Sequence, residues 1–212
     1  MKFRRSMIVC LSVSLASCLL DTVPVAAEGS RTDYEGHWAQ KQIESWIQHG
    51  WLKGFEDGSV KPDQEITRAE FITLANRMWG FTASKQTEFS DLPNNNWAYS
   101  EFAKAMTVGY IQGYKGKIRP NDLITRQEVA VIMSRLLFLE DGAPEEVLST
   151  FSDYSRIASW SRPKVTSMVN IGAMKGYPDG SFGPERSMTR AESIALMEIF
   201  NFKIGGLGDI YR

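Results

Sequence analysis

Thr67-Arg68-Ala69-Glu70 is the stretch on which the reading of the fold turns, because it returns as Thr125-Arg126-Gln127-Glu128 and again as Thr189-Arg190-Ala191-Glu192. Each copy opens a run of apolar residues at helical spacing. Thr followed three residues later by Glu forms a capping box, in which hydroxyl and carboxylate satisfy backbone donors that a helix start leaves unpaired. Three helices are therefore predicted to begin here. The Arg needs a separate reason, since it takes the first helical position, where the macrodipole disfavours a cation. Free amides at a helix start attract an anion, and a guanidinium beside them adds a planar fork shaped for carboxylate or phosphate. Each copy thus reads as half of an anion pocket. The alternative is a staple, with each Arg paired to an acidic side chain of the next repeat; the two are compatible while no ligand is bound.

Working outward, the three tetrapeptides sit in three aligned segments, residues 31–80, 89–140 and 151–202. In each, an Asp (Asp33, Asp91, Asp153) precedes a Trp (Trp38, Trp97, Trp160) by five, six or seven residues. Twelve residues after the Trp comes a Gly (Gly50, Gly109, Gly172), and four later another (Gly54, Gly113, Gly176). A turn then leads to Pro62, Pro120 or Pro184, five residues before the capping Thr. Repetition at a fixed period marks an architecture of stacked units.

One unit reads as helix, turn, helix. Trp38, Ile43, Trp46 and Ile47 keep helical spacing up to Gly50, a residue suited to the left-handed conformation that ends helices. Gly54 to Pro62 and Gly176 to Pro184 carry Asp-Gly turns between short extended pieces; the second copy is one residue shorter and lacks the Asp. The second helices present Phe71, Ile72, Leu74, Ala75 and Met78, then Val129, Ile132, Met133, Leu136 and Leu137, then Ile194, Leu196, Met197 and Phe200. About fifty residues bury too little apolar surface to stand alone, so the three units share one core. The fold class is mainly α, three helix-turn-helix repeats closed around a pseudo-threefold axis. Residues 81–88 and 140–150 are read as polar linkers and 203–212 as a frayed tail.

The chain opens with Lys2, Arg4 and Arg5 ahead of an apolar run, Met7 to Leu20, too short to span a bilayer. Residues 1–27 are read as a signal peptide ending at Val25-Ala26-Ala27; the competing reading is a lipoprotein signal at Leu15-Ala16-Ser17-Cys18, ending before Cys18. Of 24 basic and 25 acidic residues, three and one lie in those 27, leaving 21 and 24 and a mature net charge of about −3. That is no footprint for nucleic acid. Both cysteines, Cys10 and Cys18, fall in the leader, so a chain starting at Glu28 has neither disulfide nor thiol chemistry.

The repeated pattern of Ser/Thr-Asp, Trp, Gly, Gly-Tyr/Phe, Pro and Ile-Thr-Arg resembles a tandem of three S-layer homology (SLH) domains, over nearly all of the mature chain. The resemblance implies a three-pronged spindle that binds secondary cell wall polysaccharide, attached to peptidoglycan, on the bacterial surface. It implies a ligand whose terminal N-acetylmannosamine bears a pyruvyl ketal and pockets in grooves between repeats. Carried onto this sequence, the glycan-binding residues are Arg68, Arg126 and Arg190, Asp33, Asp91 and Asp153, Trp38, Trp97 and Trp160, and Gly50, Gly109 and Gly172. Arg would meet the carboxylate, Asp would accept from sugar hydroxyls, Trp would offer its face to the ring, and the glycines would let sugar approach the backbone. The expected protein is secreted, non-catalytic, without cofactor or transmembrane span. A second class is a structural subunit or adaptor whose main partners are other S-layer or surface proteins.

Each feature has a plainer alternative. The aspartates also suit N-caps or Asx turns for the Trp helices, and the tryptophans suit core positions with only an edge towards a groove. His37 and His49 lack a second metal-type cluster and are assigned surface or capping roles. Asp57-Gly58 and Asp179-Gly180 lack the alternating acids of a calcium loop and are read as turns. Neither a Ser/His/Asp nor a Cys/His or zinc signature is present, and the acids at fixed spacing already have capping or binding roles.

Overall fold

A computed structural model describes residues 32–142 and 145–201. The leader with both cleavage readings, Arg31, Pro144 and the tail from Phe202 lie outside the described residues. Six α-helices form the body: α1 (Gln40–Gln48), α2 (Arg68–Trp79), α3 (Tyr99–Val108), α4 (Arg126–Leu136), α5 (Arg162–Asn170) and α6 (Arg190–Glu198). The mainly α reading holds. The short extended pieces expected around the turns appear among the described residues only as isolated bridges, not strands.

The even-numbered helices start where the capping box places them. Thr67 Oγ1 accepts from the Glu70 amide at 3.3 Å while Glu70 Oε2 accepts from the Thr67 amide at 2.8 Å. Thr189 and Glu192 repeat the exchange, and Thr125 donates its amide and hydroxyl to Glu128 Oε2. The odd-numbered helices end at Gly50, Gly109 and Gly172, all with positive φ (72°, 92° and 72°) that an L side chain rarely adopts. The second glycine of each unit answers to space instead of torsion. A Cβ on Gly54 would lie 2.9 Å from the Ser59 carbonyl oxygen, one on Gly113 3.1 Å from that of Lys117, and one on Gly176 2.7 Å from the Phe151 ring.

The three repeats interlock through the residue that precedes each capping Thr. Ile66 donates its amide to the Met188 carbonyl, Met188 to Ile124, and Ile124 back to Ile66, at 2.9, 3.0 and 3.0 Å. The hydrogen bonds close a cycle, and all three side chains are buried. Around it lies one apolar cluster drawn from every repeat, including Ile43 and Trp46 of α1, Phe71 of α2, Phe102 of α3, Met133 of α4, Met168 of α5 and Ile194 of α6. Burying a side chain of this size contributes about 1.5–3 kcal/mol, so sharing one core is what makes fifty-residue units stable.

The second linker is more structured than its composition implies. Residues Glu145–Thr150 form a 3₁₀ turn with Leu148 fully buried, and Gly142 donates to the Pro163 carbonyl at 3.0 Å. A Cβ on Gly142 would come 2.5 Å from Thr166 Cγ2, so the segment lies tightly over α5. In the short second turn, Lys115 and Gly116 both take positive φ between the paired Tyr114 and Lys117, the mirror-type turn that suits a two-residue hairpin loop.

Candidate functional site

The motif arginines look across to the next repeat. Arg68 Nε donates to the Ile118 carbonyl at 3.1 Å, Arg126 Nε to Phe182 at 3.0 Å and Arg190 Nε to Val60 at 2.8 Å. Contacts therefore run from repeat one to two, two to three, and three to one. All three side chains are 5–8% exposed. Burial, the largest influence on each, lowers the pKa of all three guanidinium groups. Two also meet the capping Glu of the next repeat: Arg68 Nη1 lies 3.5 Å from Glu128 Oε1 and Arg190 Nη1 3.5 Å from Glu70 Oε1. The staple is present at these two arginines.

The helix starts are not free to receive an anion, which corrects one premise of the sequence argument. The amides of Arg68 and Ala69 donate to Asp122 and Pro120, those of Arg126 and Gln127 to Arg186 and Pro184, and those of Arg190 and Ala191 to Gln64 and Pro62. The third amide of α2 and of α6 goes to the capping Thr. Carbonyls of the neighbouring repeat thus fill the place in which a ligand anion was expected, and they also compensate a cation at the positive end of the helix.

The aspartates neither cap the Trp helices nor form Asx turns there. Asp33 accepts from the amides of Val60 and Lys61 at 2.9 and 2.6 Å, Asp91 from Ile118 and Arg119 at 2.8 and 2.8 Å, and Asp153 from Phe182 and Gly183 at 2.8 and 2.8 Å. Lys61, Arg119 and Gly183 all have positive φ, so each carboxylate holds a left-handed turn that costs a non-glycine residue about 1–2 kcal/mol. The peptide so held is the one whose carbonyl receives the Arg. For Asp91, burial raises the pKa, but the two amides outweigh it and the net shift is downward.

The tryptophans do not take the core positions that were their plainer alternative. Trp38, Trp97 and Trp160 precede their helices instead of lining them and are 61%, 62% and 58% exposed. The core positions belong to Ala39, Ile43 and Trp46 and their counterparts, because the helix starts two residues beyond each motif Trp. Space beyond Gly50, Gly109 and Gly172 is equally open, with no atom within 4 Å of an added Cβ. A cleft of about 220 Å³ brings Trp38 of repeat one and Arg126 of repeat two together against Met174, Lys175, Met188, Glu192, Leu196 and Ile199 of repeat three. Arg126 there lies over the Tyr177 and Phe182 rings, 4.7 and 5.1 Å from their centroids.

Gln127, which departs from the Ala of the other copies, has a defined task. Its Oε1 accepts from the Ala158 amide and the Ser161 hydroxyl, both at 3.0 Å, and so fixes the loop carrying Trp160. His37 Nδ1 accepts from the Ala39 amide and His49 bonds the Ser45 carbonyl, the capping and surface roles assigned to them. Asp57 and Asp179 each accept from the amide and hydroxyl of the Ser two residues on, as turn residues do. Among the described residues no group of acids, His or Cys could hold a metal ion, and no helix is long and apolar enough to cross a membrane.

The family model described as S-layer homology domain matches the chain three times, over residues 32–72, 88–130 and 150–192. An amylopullulanase of Thermoanaerobacterium thermosulfurigenes is 32% identical over 78% of this chain and 9% of its own length. A cellulosome-anchoring protein of Acetivibrio thermocellus is 32% identical over 69% of this chain and 34% of its own length. An S-layer protein of Bacillus anthracis, EA1, is 28% identical over 86% of this chain and 21% of its own length. The chain thus spans about a third or less of each of these relatives.

Proposed function

The chain belongs to the S-layer homology domain family and so to the cell surface, and we propose that it is a non-catalytic anchor that binds secondary cell wall polysaccharide in grooves between its repeats. The favoured ligand group is a terminal N-acetylmannosamine carrying a pyruvyl ketal. The observation that carries this reading is the cleft in which an exposed indole, Trp38, meets the buried guanidinium of Arg126 across a repeat boundary. A sugar ring needs an apolar face with polar groups at its edge, and a ketal carboxylate needs a cation in a site of low dielectric. Trp38, Trp97 and Trp160 are assigned to the sugar faces, and Gly50, Gly109 and Gly172 to close approach of sugar to backbone. Asp33, Asp91 and Asp153 act by holding the groove wall, since their oxygens already accept two amides each.

The tasks already given to the acids at fixed positions support a non-catalytic role. Glu70, Glu128 and Glu192 close capping boxes and the aspartates hold turns, so none is left as a paired acid and base. The name of one relative, a cellulosome-anchoring protein, supports the same role.

Cosedimentation of the purified protein with cell wall sacculi tests the proposal. Retention on intact sacculi should be lost after chemical removal of the wall polymer. Undiminished retention on stripped sacculi would move the partner to peptidoglycan or protein and refute it.

A further inference from the structure

The three motif arginines are alike in sequence but not in their electrostatic surroundings. Arg68 and Arg190 each have a carboxylate at 3.5 Å, and those carboxylates are themselves sheltered, 13% and 23% exposed. Glu128 also receives Arg119, so the groove of Arg68 is already a closed cluster of charges. The position three residues after the helix-ending Gly of repeat two is the neutral Gln112, where the other copies have Lys53 and Lys175.

Arg126 is different. Among the described residues no carboxylate comes within ion-pair distance of it; Glu192, which stands where Glu70 and Glu128 stand, acts on it only through space. Its Nη2 donates to the Lys175 carbonyl at 2.9 Å, and Nη1 faces Met188 Sδ at 3.8 Å. Carbonyl oxygens satisfy the geometry of the fork without neutralising its charge. Arg186 also stands over the Tyr177 ring, 4.0 Å from its centroid, and the exposed Lys175 lines the same cleft. Two cations, Arg126 and Lys175, thus share the cleft with one carboxylate, Glu192. A cation that is 8% exposed and has no carboxylate at ion-pair distance is costly to bury, and the cost falls when an anion enters beside it.

We propose that the cleft formed by Arg126, Trp38 and Lys175 is the principal ligand groove, taking one carboxylate-bearing sugar per chain, while Glu128 and Glu70 keep the grooves of Arg68 and Arg190 self-neutralised. This rests on the wall-glycan reading above and adds to it which groove works and why.

Calorimetric titration of the full chain with a glycoside of pyruvyl-ketal N-acetylmannosamine tests it, alongside retention on sacculi. The wild type should bind one equivalent. Arg126→Gln should weaken binding by about ten- to a hundredfold, the loss of one charge-assisted contact, and Lys175→Gln by less. Glu70→Gln and Glu128→Gln keep the capping box, since Gln serves there, yet free a guanidinium. Each should raise the stoichiometry above one, which supports the assignment even where Arg68→Gln or Arg190→Gln does not fold. Three equivalent sites in the wild type, or unchanged affinity in a folded Arg126→Gln, would overturn the assignment and leave wall binding standing. A wild type that binds neither glycoside nor sacculi would instead remove the reading beneath it.

Discussion

The Ile118 carbonyl accepts from Arg68 Nε at 3.1 Å while the Arg119 amide of the same peptide unit donates to Asp91 at 2.8 Å, so one peptide unit joins the acid of its own repeat to the cation of the one before. The peptide joining Val60 to Lys61 serves Asp33 and Arg190 in the same way, and that joining Phe182 to Gly183 serves Asp153 and Arg126. The Arg that the helix dipole disfavours is therefore placed to lock the next repeat, and the Asp to present the lock.

Removing a lock should cost stability. Arg68→Ala leaves the buried Ile118 carbonyl short of a donor and Glu128 short of one cation, and is expected to lose about 2–4 kcal/mol. Arg68→Lys should recover little, because an ammonium cannot reach carbonyl and carboxylate with one planar fork. Urea unfolding of both variants checks this, and near-wild-type midpoints would contradict the lock.

Acid should weaken the same device from the other side. The folded pKa of Asp91 lies below the ordinary value near 3.9, so its contribution is present in full above that value and is lost as pH falls through the folded pKa. Thermal midpoints of the wild type should drop below about pH 4, and Asp91→Asn should start lower and depend less on pH across that window.

The hydrogen-bond cycle predicts a shared opening. If Ile66, Ile124 and Met188 hold one another, their amides should be among the slowest to exchange and should do so with one common free energy close to that of global unfolding. Fast exchange at one of the three, in native-state hydrogen exchange, would show that the cycle opens piecemeal.

Glycines of the two kinds should respond differently to Ala. Gly50→Ala meets open space and carries only the torsional cost, about 1 kcal/mol. Gly176→Ala drives a methyl to 2.7 Å from the Phe151 ring and should cost about 1–3 kcal/mol. Equal losses in denaturant melts would remove the distinction.

The exposed indoles should matter to binding more than to folding. Trp38→Ala is expected to change stability by less than about 0.5 kcal/mol, as surface substitutions do, while reducing retention on sacculi. A large stability loss would place the ring in the core after all.

Helix starts, helix ends and the threefold repetition were legible because each depends on local chemistry: a Thr and a Glu three apart, a Gly with positive φ, an apolar stripe. The role of the Asp residues was not, because their partners lie 27 to 30 residues away in the chain and no local pattern records the distance. Whether the motif Trp faces a groove or the core was not legible, because its spacing to Ile43 and Trp46 fits a helix, yet α1 starts at Gln40 and the ring is exposed. Arg126 and Arg68 share a motif, and only the placement of Glu192 against that of Glu128 separates them.

The most direct test of wall anchoring through a carboxylate is the affinity of the full chain for purified wall polymer before and after removal of its pyruvyl groups. The account predicts tight, salt-weakened binding to the intact polymer and a loss of about tenfold or more on the depyruvylated one. Equal affinity for the two polymers would contradict it.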